Sequence, residues 1–259
     1  MTRRTYSPAS LILTLALGMA ACIPTAVQAQ FGRDSGPPAL RLQAHQVQYM
    51  GILEVVGTLG DQEQYRVGPD TLLLDVTVRG EGNDMLLDYA LDLGDADVST
   101  GTIDISELGF EVARHWRPAL EMLSLLSIVP LTQEPRAEGD VWTEITGYVI
   151  PELDLDFAEA TRFQIESIDD GQAVISFTTE GGGSTTIDRP QLGAGAQMEV
   201  SRESARQGRF VFGIDEGYVL EAERVERITN QSVIFQGDDT QVLPPEVQSL
   251  TFRLVPVGN

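Results

Sequence analysis

Three side chains in this 259-residue chain have the chemistry of a neutral-pH base, a thiol nucleophile or a soft metal ligand: His45, His115 and Cys22. His115 stands in Glu111-Val112-Ala113-Arg114-His115-Trp116-Arg117. A histidine there has the type needed for general-base work. The flanking arginines favour its neutral form, so the expectation is a hydrogen-bonding role. His45 lies among glutamines and is read as structural. Two histidines cannot make a three-histidine zinc site. No G-x-S-x-G turn supports a serine nucleophile.

Carboxylates are the abundant reactive type. Asp154 and Asp156 in ELDLDF are expected on one strand face, as are Asp88 and Asp92 with neighbouring Asp75. Glycoside hydrolysis uses two carboxyls roughly 5 to 10 Å apart. Residues i and i+2 on any strand meet that spacing, so a solvated sheet face explains these pairs as well. Asp92-Leu93-Gly94-Asp95-Ala96-Asp97 has the composition of a calcium loop but lacks the Glu at the twelfth position of the EF-hand pattern. No catalytic residue, metal site or cofactor is assigned.

Missing residue types exclude more. All 17 basic residues are arginine, against 39 Asp and Glu, for a net charge of −22. Without lysine there is no Walker A loop, pyridoxal Schiff base, kinase-type lysine or Ser–Lys dyad. An acidic chain without a basic patch is a poor ligand for nucleic acid and for anionic lipid surfaces.

Cys22 belongs to a segment with the three parts of an export signal. Arg3 and Arg4 precede an apolar run, Leu11 to Ala21, of 11 residues. A membrane-spanning helix needs about 20. Pro24 then presents Val27-Gln28-Ala29 with small-x-small spacing. The expectation is cleavage after Ala29, which removes 29 of 259 residues and leaves 230 without cysteine. The alternative is a lipobox, Met19-Ala20-Ala21-Cys22, with the mature chain tethered through Cys22. Thr2-Arg3-Arg4 also admits a twin-arginine route. The expected location is the periplasm or the exterior, with no membrane span after cleavage.

These residues must be positioned by strands. Residues 30–39 are read as a flexible lead, and residues 40–259 as one β-rich domain with two halves meeting near 130–138. Period-two alternation dominates. It places on one face Leu72, Leu74, Val76 and Val78; then Leu87, Tyr89, Leu91 and Leu93; then Leu153, Leu155 and Phe157. Phe210, Phe212 and Ile214 lead to a turn at Asp215-Glu216-Gly217, and Tyr218, Leu220 and Ala222 run back. Leu250, Phe252 and Leu254 close the set. Pro118 followed by Ala119 to Val129 reads as one short helix packed on the sheet. Residues 181–197, GGGSTTIDRPQLGAGAQ, read as a long exposed loop. The expected fold is all-β: a curved antiparallel sheet or incomplete barrel with that helix against it.

Pro130, Glu138-Gly139-Asp140, Trp142, the run Gly208-Arg209-Phe210-Val211-Phe212 and Asp215-x-Gly217 resemble motifs of uncharacterised exported bacterial envelope β-protein families. Those families show a Pro, a GD-x-W step in mid-chain and a later F-D-x-x-G hairpin, which Gly213 and Ile214 interrupt here. The resemblance spans residues 60 to 230. It implies an envelope-associated β protein and transfers no catalytic residue. A curved sheet is also similar to periplasmic lipoprotein carriers, as a fold analogy only. The expected function is non-enzymatic: binding or carrying an apolar ligand, or docking on an envelope partner. The expected ligand surface is Leu120, Leu123, Leu126, Trp116 and Trp142. A carboxylate-based glycan hydrolase and a structural or adhesive surface protein are the alternatives.

Overall fold

A computed structural model describes residues 37–92, 94, 98–108, 131, 134–150, 154–192 and 195–258. Eleven strands follow one another: β1 (His45–Leu59), β2 (Gln62–Glu81), β3 (Asp84–Asp92), β4 (Ser99–Ile105), β5 (Val141–Ile150), β6 (Leu155–Asp169), β7 (Gln172–Asp188), β8 (Gln197–Gly213), β9 (Tyr218–Gln236), β10 (Asp239–Val242) and β11 (Glu246–Pro256). They form one sheet in the order β4-β3-β2-β1-β11-β9-β8-β7-β6-β5, with β10 added on β9, and every pairing is antiparallel. The sheet is not closed: among the described residues no ladder joins β4 to β5.

The alternation sets which face is buried, because successive side chains on a strand point to opposite sides. Leu72, Leu74, Val76 and Val78 are all buried, as are Leu87, Leu91, Phe210, Phe212, Leu250, Phe252 and Leu254. These residues, with Leu40, Leu42, Leu131 and Trp142, form one continuous apolar cluster. Tyr49 is fully buried in it, and its hydroxyl donates to the Val219 carbonyl at 2.9 Å. His45 packs against Tyr218 with the rings tilted by 32° and their centroids 4.9 Å apart, and its Nδ1 sits 2.7 Å from the Gln43 carbonyl oxygen. Burial pushes its imidazole below the usual histidine range against the opposing pull of that carbonyl.

The sheet bends strongly. Leu42 N–H donates to the Glu107 carbonyl just past β4, while its neighbour Gln43 donates to the Gly217 carbonyl just before β9. In a flat sheet β4 and β9 stand five interstrand spacings apart, roughly 24 Å. Two consecutive residues span the gap here only because the buried face curls inward. The chain beyond β4 also meets the chain that leads to β5. Leu131 N–H, ahead of β5, donates to the Leu108 carbonyl beyond β4 at 2.8 Å.

Three expectations change against the structure, and one falls outside it. The helix over 119–129 lies outside the described residues, among which a 3-10 turn at Pro190–Leu192 is the helical element. The Gly-rich stretch is not a loop throughout: residues 181–188 continue β7 and pair with β8 in register, from Gly181↔Ser204 to Asp188↔Gln197. Asp154 does not share a strand face with Asp156; it occupies the turn before β6 with φ of 50°, and only Asp156 is in the strand. On β9 Ala222 is in the expected buried row and Tyr218 packs half-buried against the core, but Val219 takes the place expected for Leu220. A register shift between Val211 and Phe212 pairs Phe212 with Val219 and Val211 with Glu221, which leaves Leu220 as the extra residue of a bulge. The turn is otherwise as expected, with Gly217 at φ 69°.

Candidate functional site

Charged residues stand in phase with the apolar ones on β8 and β9. The register aligns Phe210 with Ala222, Gly208 with Arg224, Arg206 with Glu226, Ser204 with Ile228 and Arg202 with Asn230. Ala222, Ile228 and Phe210 are buried, so every residue in that series faces inward. Strand β7 adds Phe177, Thr179, Gly181 and Gly183 along the same rows, and β6 adds Phe163, Thr161 and Glu159. The concave face thus carries a polar band across β6, β7, β8 and β9.

Glu226 is its centre, with 2% of its surface exposed. Arg206 Nε donates to one carboxylate oxygen at 2.7 Å, and Arg224 Nη2 pairs with the other. Burial alone would raise its carboxyl pKa, but the charges of Arg224 and Arg206, with their hydrogen bonds, hold it well below the usual carboxylate range. Arg206 also reaches Glu159, which accepts a further hydrogen bond from Ser204 Oγ at 2.8 Å. Glu159 and Ser204 lie on strands separated by β7. The residue between them is Gly181, and a Cβ there would stand 2.5 Å from the Glu159 side chain. The glycine therefore lets a carboxylate on β6 reach across to β8. Beside it the Thr161 and Thr179 hydroxyls bond each other at 2.8 Å. Two glutamates and two arginines balance in charge.

Arg202 adds one more positive charge at the outer end of the band. Its guanidinium lies 6.0 Å from the centroid of the Phe157 ring. Its Nε and the Oδ1 of Asn230, its cross-strand partner, are both buried and find no hydrogen-bond partner among the described residues. Next to them Ile150, Leu155 and Phe157 form a small apolar cluster separate from the main core. A donor and an acceptor beside an apolar wall can hold a group that both accepts and donates, with an apolar body attached.

Of the ligand residues read from sequence, Trp116, Leu120, Leu123 and Leu126 lie outside the described residues, as does Cys22. Trp142 is on β5, stacked on Phe163 with centroids 5.0 Å apart and with the Arg136 guanidinium 5.6 Å from its ring centroid. It heads an aromatic line through Phe163, Phe177 and Phe210 in the main core. Three of the carboxylates read from sequence, Asp75, Asp88 and Asp92, are held in surface interactions, with Asp92 accepting from the Gly94 N–H. Asp75 accepts from Gln48, and Asp88 accepts from Thr102 and pairs with Arg79. No group of three His, Cys, Asp or Glu suited to a metal occurs among the described residues.

Sequence reasoning missed Glu159, Arg202, Arg206, Arg224 and Glu226 because charge was taken to mean an outward position. A signal was present. Ala222-x-Arg224-x-Glu226-x-Ile228 keeps period two, with its charges in step with its apolar residues.

No protein-family model matches the chain, and no curated protein matches it in sequence.

Proposed function

We propose that this is a non-enzymatic binder of an amphiphile, working in the cell envelope after export. Its polar head accepts a hydrogen bond from Arg202 and donates to Asn230, and its apolar part lies on Ile150, Leu155 and Phe157. The observation that carries the reading is the pair of buried, unpartnered polar atoms on Arg202 and Asn230 beside that apolar cluster. The state of the buried carboxyls supports a binding role over the hydrolase alternative. A general acid for glycoside cleavage needs a raised pKa. Glu226 is pushed the other way by two arginines, and Glu159 is tied to Arg206 and Ser204.

Titration of the purified protein with a fluorescent monoacylglycerol and with a lysophospholipid, whose glycerol hydroxyl both accepts and donates, tests this. Saturable one-site binding is expected. Arg202→Ala should weaken it about 10- to 100-fold, the equivalent of one hydrogen bond to a charged group. No saturable binding, together with no amphiphile retained in native mass spectrometry, removes the reading. The proposed location has its own test in the intact mass of protein isolated from its host. It should show loss of residues 1–29, with a diacylglycerol adduct on Cys22 as the tethered alternative and an unprocessed chain as the result against export.

A further inference from the structure

The two ends of the sheet are finished differently. The outward row of β4, Thr100, Thr102 and Asp104, is polar and exposed, as befits an edge that must not pair. The outward row of β5 is Val141, Thr143, Ile145, Gly147 and Val149. Val141, Ile145 and Val149 are exposed at 39%, 79% and 47%. Beyond them on the same face lie Ala158 and Ala160 of β6, also exposed. Strand β5 has ten residues, one charge, no proline and no break in its pairing with β6. Among the described residues no strand pairs with its free edge, and its one charge, Glu144, lies on the inward row with Trp142.

We infer that β5 is the interface with a second copy of this chain, the two strands pairing antiparallel about a twofold axis through Ile145. Two of the four pairs mirrored about that residue match in type, Val141 with Val149 and Trp142 with Tyr148. Keeping the two outer faces continuous requires odd positions to face odd positions, which leaves few registers. Centred on Ile145, Val141 faces Val149 of the second copy, Ile145 faces itself, and the sole charge, Glu144, faces Thr146. Centring on Glu144 puts like charges opposite each other, which is unfavourable. Centring on Thr146 sets Ile145 against Gly147 and loses the apolar row. A twofold interface needs a self-complementary surface, and this register supplies one with no charge opposed. The reading is independent of any ligand on the concave face.

Sedimentation velocity of the full chain, from micromolar to near-millimolar concentration, should show reversible dimerisation. Added salt should strengthen it, because each copy brings a net charge of −22. Ile145→Lys places two like charges face to face on an exposed position, so folding is retained while the dimer weakens more than about 100-fold. Register is read in a Cys22→Ser background. Ile145→Cys should form an intermolecular disulfide under mild oxidation. Val141→Cys should not, because its own counterpart lies eight residues along the strand, about 27 Å away. A monomer at every concentration, or a dimer indifferent to Ile145→Lys, overturns the inference and leaves the edge to another partner or none. Equal cross-linking of the two cysteine variants also overturns it.

Discussion

Glu226 has almost no solvent to stabilise its charge, so Arg206 and Arg224 must do so. Glu226→Gln leaves buried guanidinium groups short of a counter-charge and should cost about 3 to 5 kcal/mol in urea unfolding at neutral pH. The pH dependence follows from the direction of its shift. The folded carboxyl titrates below the unfolded value of 4.5. Its contribution is therefore complete above pH 4.5 and is lost as pH falls from there towards the folded value. The gap between wild type and Glu226→Gln should narrow over that acid range, and a gap unchanged at low pH would contradict the network. His45 has the same sign by another route. Its pKa is lowered on folding, so its protonation as pH drops through the unfolded value of 6.5 favours the unfolded chain.

At the scale of elements, alternation carried the β-strand reading a long way, because most inward positions of β2, β3 and β11 are aliphatic or aromatic. It failed where a strand lacks side chains. Gly181, Gly182 and Gly183 looked like loop because glycine weakens a strand interior, yet β7 passes so close to its neighbours that side chains would not fit. A Cβ on Gly183 would clash with the Asp156 carbonyl, and one on Gly181 would press on Glu159, whereas one on Gly182 would make an ordinary 3.6 Å contact with the Arg202 carbonyl. Gly181→Ala should therefore cost about 1 to 3 kcal/mol through overpacking. Gly182→Ala should be neutral or gain up to about 1 kcal/mol. Thermal unfolding of the pair checks this, and equal effects would place the crowding elsewhere. The bulge at Leu220 was illegible for a different reason. It depends on how β8 and β9 pair, and no single strand's pattern records that. Val219→Asp should abolish folding, while Leu220→Ser should leave a native circular-dichroism spectrum. The band was hidden by a rule that sends charge outward, although its spacing kept step with the core.

At the scale of the whole molecule, 39 acids against 17 arginines make the folded state repel itself, and salt should raise the melting temperature by screening that repulsion. Across the sheet, β1 to β4 on one side and β5 to β9 on the other are each built by neighbours in sequence. Among the described strands the ladder joins them through β11, which lies between β1 and β9. That strand is the last of the eleven to be synthesised. Until it is in place, β1 and β9 each keep a bare flank of unpaired amides and carbonyls, so the sheet stays in two parts.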